Sequence, residues 1–191
     1  MLYCMVWECN RKYWELPAVK KNCFSDLLDI LAITEELCST IGKSKNIDLI
    51  SVIKRSDEAR LRCVKRALSA FILPIDREDM AYLALRLYRL NVCLADLCRY
   101  RAVYFPRTDV AFLIPPIEKT CELLRSSISE KGVSLPDLSS LPSFAPSDFD
   151  GYSPFLREAL SQRRLYELTE DCKNKATDLL DQLIFTYIKN S

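Results

Sequence analysis

The stretch Ala70–Leu90, "AFILPIDREDMAYLALRLYRL", decides how this chain is read. It opens on apolar residues, meets a proline, passes four consecutive charged residues and continues with apolar residues at helical intervals. Pro74 disfavours the helical conformation at Leu73, so a preceding helix ends there. Asp76 stands where an N-cap acceptor belongs, and Asp79 takes the capping-box position three residues later. Glu78 and Asp79 also suit the positive end of a helix dipole. Met80, Leu83, Leu87, Leu90, Leu94 and Leu97 carry one helix to about Phe105, where Pro106 stops it. The charged burst thus reads first as a helix start. Its functional alternative is a contact surface for a partner, carried by Arg77 and Glu78. No nucleophile, glycine loop or base accompanies the stretch to make a catalytic pair.

Working outward, the same periodicity recurs on both sides. Pro17 suits the first turn of a helix running to about Ile41 through Val19, Phe24, Leu27, Leu28, Leu31, Ile33 and Leu37, with Gly42 as its C-terminal stop. A second helix is expected from an N-cap at Asn46 to about Phe71, its apolar face formed by Ile47, Ile50, Ile53, Leu61, Val64 and Leu68. A fourth covers about Asp109 to Lys131, with Pro115 and Pro116 forcing a kink or a late start near Ile117. Residues 132–154 hold four prolines and six serines, and read as a long connector that packs or has a role. A last helix is expected from about Ser153 to Lys189 through Phe155, Leu160, Leu165, Leu168, Leu179, Leu183 and Ile184. The sum is an all-α, up-and-down bundle of about five long helices. It occupies residues 17–191 as one domain behind an N-terminal segment, residues 1–16.

Composition narrows the function classes. Three glycines in 191 residues argue against a strand-and-turn protein or a phosphate-cradling loop. With 27 basic and 26 acidic side chains the net charge is +1, which gives no field to recruit nucleic acid. There is no histidine, which removes the usual Ser-His-Asp and Cys-His systems and the commonest transition-metal ligand. Nine cysteines, at 4, 9, 23, 38, 63, 93, 98, 121 and 172, include no C-x-x-C spacing. They read as reduced core residues of a cytosolic protein rather than a disulfide framework or zinc knuckle. No window reaches the roughly 20 apolar residues needed to span a bilayer.

The quoted stretch also carries a resemblance. Phe71, Ile72, Pro74, Ile75, Asp76, Arg77, Glu78, Asp79, Leu83, Ala84 and Leu87 fall in register with the F-I-T-P-(I/F)-D-R-E-D-I-x-x-L-A-x-x-L signature of PhoU-like proteins. Within these it resembles the cytoplasmic branch associated with Pit-type inorganic phosphate transporters. Asp57, Leu68 and Phe71 fit the end of the preceding family helix. Tyr166, Glu167, Leu168, Glu170, Asp171, Asp178 and the closing Lys189-Asn190 fit the last one. The family holds iron- or zinc-like cations on repeated (E/D)-x-x-x-D motifs, whose carboxylates share a helix face. Here the acid positions fall on Ile53, Tyr88, Arg89, Val92 and Asn174. Acids four apart remain only at Glu118/Glu122 and Glu167/Asp171, pairs that read as solvated helix faces.

The resemblance therefore implies the fold and a regulatory role without the metal cluster or any other cofactor. The expected function is a non-enzymatic, cytoplasmic accessory protein that contacts the cytoplasmic loops of a Pit-type phosphate transporter, peripheral to the membrane's inner face. Arg77, Glu78, Arg99, Tyr100 and Tyr104 are the candidate partner surface, and self-association is a further option. The alternatives are a carboxylate-based metal sensor, using the residual candidates Asp57, Glu170 and Asp178, and a helical scaffold unrelated to phosphate.

Overall fold

A computed structural model describes residues 17–43, 47–70, 73, 75–105, 110–129, 132–134, 139, 141–143 and 156–190. Residues 1–16, Asn46, Phe71, Ile72, Pro74, Pro106 and most of the 132–154 connector lie outside them. Among the described residues five helices form an all-α bundle: α1 (Pro17–Lys43), α2 (Leu49–Ser69), α3 (Arg77–Tyr104), α4 (Ile114–Ser127) and α5 (Leu156–Asn190). A 3-10 turn, Ala111–Leu113, leads into α4.

Helix α3 is the centre. It packs against α1, α2 and α5, and buries Met80, Leu83, Ala84, Leu87, Leu90, Cys93, Leu94, Ala95 and Leu97. Cross-helix partners fix the directions. Arg66 meets Asp26 while Arg55 meets Glu36, so α2 runs antiparallel to α1. Tyr100 meets Ser161 near the C-terminal end of α3 while Asp79 meets Lys189 at its start, so α5 runs antiparallel to α3.

The apolar face expected for α2 is wrong. Ile50, Leu61 and Leu68 are 84%, 52% and 60% exposed, whereas Val52, Ser56, Ala59, Cys63 and Ala67 are buried. The buried stripe keeps helical spacing but is made of small side chains, which let the larger residues of α1 and α3 fill the interior. Ile47 and Ile53 are half-buried and pack at the core's edge. Leu160 of α5 and Leu28 of α1 are likewise exposed.

Helix ends also differ in instructive ways. Helix α2 is capped by Asp48, whose Oδ1 accepts from the amides of Ile50 (3.1 Å) and Ser51 (3.2 Å). Asp48→Ala is expected to lower stability by about 1 kcal/mol, read as a shift of the urea midpoint at unchanged slope. Gly42 lies inside the last turn of α1 rather than beyond it. Pro115 and Pro116 begin α4 without kinking it, because their missing N–H groups fall among the unpaired donors of its first turn. Helix α4 stops at Ser127, short of Lys131, since Ile128–Ser129 pairs antiparallel with Gly132–Val133.

One buried polar knot joins α1, α2 and α3. Asn91 is fully buried; its Nδ2 donates to Ile30 O (3.1 Å) and Ser56 Oγ (3.0 Å), and its Oδ1 accepts from Thr34 Oγ1 (2.7 Å). These bonds can form together at only one register of the three helices. The knot specifies as well as stabilises.

Candidate functional site

The charged stretch at the start of α3 closes onto the end of α5. Lys189 Nζ lies 2.8 Å from Asp76 Oδ2 and 3.2 Å from Asp79 Oδ2. Asn190 completes the clasp: its Oδ1 accepts from the Asp76 amide (3.3 Å), and its Nδ2 donates to Asp79 Oδ2 (3.4 Å) and Thr186 O (2.7 Å). Asp79 is buried beneath these contacts while Asp76 stays exposed. Hydrogen bonds from Lys189 to Asp76 and Asp79 raise the ammonium's pKa above its ordinary value.

This corrects the expected capping box. Asp76 is the residue before α3, and its carbonyl accepts from the Met80 amide at 3.0 Å, but its side chain makes no capping bond. The carboxylate turns to Lys189 instead, because an ion-paired hydrogen bond is stronger than a neutral one to a backbone amide. Asp79 likewise faces α5. The motif joins two helices rather than starting one.

The candidate partner surface divides in two. Arg77 and Glu78 are exposed on the clasp end of the bundle. Arg99, Tyr100 and Tyr104 sit near the other end of α3, about 30–40 Å away at 1.5 Å per residue. There, Tyr100 is committed to packing: its OH donates to Ser161 O (3.3 Å) and its ring lies 4.7 Å from that of Tyr104. Arg101 donates to Ile41 O at 2.8 Å, satisfying a carbonyl in the last turn of α1. Arg99 pairs with Asp96 at 2.7 Å, and Tyr104 remains exposed. The five residues are not one site.

The residual metal candidates each face a basic side chain. Asp57 Oδ1 lies 2.6 Å from Arg60 Nη2, Glu170 Oε1 lies 2.9 Å from Lys173 Nζ, and Asp178 Oδ2 lies 3.5 Å from Arg86 Nη1. Arg60 also covers the ring of Tyr88 at 4.9 Å. Among the described residues no three histidines, cysteines or acids converge as metal ligands would. Glu122 pairs with Lys119, Glu167 with Arg163 and Arg164, and Asp171 with Lys175. No helix among the described residues is long and apolar enough to cross a membrane.

Besides the clasp, two arrangements are not visible in the sequence. The Asn91 knot and a contact between Cys93 and Cys172 both depend on residues from different helices, with no spacing to announce them. Comparison with protein-family models, with curated proteins and with solved structures finds no match for this chain.

Proposed function

We propose that this chain is a non-enzymatic accessory protein of inorganic phosphate transport, acting in the cytoplasm by contact with the cytoplasmic loops of a Pit-type transporter. The reading rests on the resemblance of residues 71–87 and 166–190 to PhoU-like proteins. One observation carries it further: Asp76 and Asp79 from the first stretch meet Lys189 and Asn190 from the second in one clasp. The clasp gives the shared residues a common purpose, holding one bundle end in a fixed shape with Arg77 and Glu78 displayed on it. The ion pairs at Asp57, Glu170 and Asp178 favour a contact role over a metal sensor, since each carboxylate already has a counter-charge.

The test is a pull-down on immobilised transporter loops, comparing the wild type with the double reversal Arg77→Glu/Glu78→Arg. Tm is measured beside retention, so that a lost contact is told apart from a lost fold. Reversed charges at a contact weaken retention roughly tenfold or more. Equal retention of the two proteins would refute Arg77 and Glu78 as the surface, and no retention of the wild type would refute the transporter as partner.

A further inference from the structure

Seven cysteines lie among the described residues, all as free thiols. Burial is the main cause that raises the pKa of five of them, Cys23, Cys38, Cys63, Cys98 and Cys121, with Cys63, Cys98 and Cys121 each pushed up to about 12. One pair has a different setting. Cys93 on α3 and Cys172 on α5 bring their sulfurs to 3.0 Å across the helix interface. Cys93 Sγ also donates toward Asp171 Oδ2 at 3.3 Å, with Leu168 O at 3.7 Å. Cys93 is 5% exposed and Cys172 wholly buried, so the first sulfur sits at the outer edge of the pair, beneath the exposed Asp171.

We propose that Cys93 and Cys172 are an oxidisable dithiol, which hydrogen peroxide converts into a reversible cross-link between α3 and α5. The sulfurs need close by only about 1 Å to reach bonding distance, and both ride on helices already packed together. Cys93 attacks the peroxide first. Its S–O bond forms as the O–O bond breaks, the thiol proton passes by way of Asp171 Oδ2, and one water leaves. Cys172 then attacks the sulfenic sulfur; the S–S bond forms, the S–O bond breaks and a second water leaves. Two thiols lose two electrons and two protons, and one peroxide becomes two waters. The hydrogen bond with Cys93, and then burial, raise the pKa of Cys172 well above the ordinary thiol value. The cross-link would pin the two helices on the order of 20 Å from the Asp79–Lys189 clasp, at 1.5 Å per residue.

The test treats the folded full-length protein with hydrogen peroxide, unfolds it, alkylates the remaining thiols and weighs the proteolytic peptides. The expected product is one linked pair, Cys93 to Cys172, lighter than the separate peptides by two hydrogens and released by dithiothreitol. It is absent from Cys93→Ser, whose Cys172 stays alkylatable, and from Cys172→Ser, whose Cys93 stops at the sulfenic or sulfinic acid. The same treatment in concentrated urea gives mixed pairings instead, because only the fold holds these two sulfurs together. Full alkylation of both cysteines after peroxide would overturn the proposal. So would a dominant link between other cysteines in the folded wild type, or a Cys93 sulfinic acid with no link. The wild-type measurement stands alone should either variant fold poorly.

Discussion

Replacing Asn91 with aspartate is expected to lower the free energy of unfolding by about 3–5 kcal/mol at neutral pH. The shape is unchanged, so packing is not at issue. The new oxygen takes the place of Nδ2, 3.1 Å from the Ile30 carbonyl and 3.0 Å from Ser56 Oγ, in a position without solvent contact. A donor becomes an acceptor facing an acceptor, and a charge enters the core with no cation among its hydrogen-bond partners. Burial raises the new carboxyl's folded-state pKa above its unfolded value of about 3.9. The ionic penalty is therefore absent below the unfolded pKa and grows as pH rises toward the folded one. Asn91→Leu serves as the uncharged comparison, expected to cost about 1–3 kcal/mol with no such pH dependence. Urea titrations of both variants at pH 4 and pH 7 decide the matter. An aspartate variant no weaker than the leucine variant at pH 7 would remove the knot from its assigned role.

The second large effect belongs to the clasp. Asp79→Ala is expected to cost about 2 kcal/mol, because a buried carboxylate loses charge-assisted bonds to Lys189 and Asn190 and its place near the start of α3. Asp76→Ala should cost about 0.5 kcal/mol, the scale of an exposed ion pair, since no capping bond is lost. A capping residue would show the reverse order, so the two variants distinguish clasp from cap. The clasp also sets an alkaline limit. The pKa of Lys189 is raised above its unfolded value of 10.5, so its contribution is fully present below that pH and fades as pH rises through the folded pKa. The gap in Tm between wild type and Asp79→Ala should accordingly hold through neutral pH and narrow in strongly alkaline solution. A gap that does not change at high pH would show that Lys189 is not its source.

Much of this architecture is visible in the sequence, for reasons that also explain the failures. Helix α3 is legible because its buried positions are large and apolar: Leu83, Leu87, Leu90, Leu94 and Leu97 announce the face that faces inward. Helix α2 misleads because its inner face is built from Ser56, Ala59, Cys63 and Ala67, while its bulkiest residues point to water. Periodicity that weights size follows the wrong stripe. The charged stretch was legible as a boundary but not as a joint. Its geometry depends on Lys189 and Asn190, more than a hundred residues away, which can outcompete the local amides once the fold delivers them. Asn91 and the Cys93–Cys172 pair are hidden for the same reason: each is an ordinary helical residue until other helices supply its partners.

The ion pairs at Asp57, Glu170 and Asp178 have a consequence for how the bundle responds to its surroundings. A counter-charge fastened to its own helix or to the neighbouring one does not wash away on dilution. Tethering presents it at an effective concentration of order millimolar, independent of what the solution contains. A free cation present at trace level competes with Arg60, Lys173 or Arg86 for these carboxylates. Each of these three carboxylates thus carries a counter-charge from within the folded chain. At these three positions the partner comes with the fold, whatever ions the solution supplies.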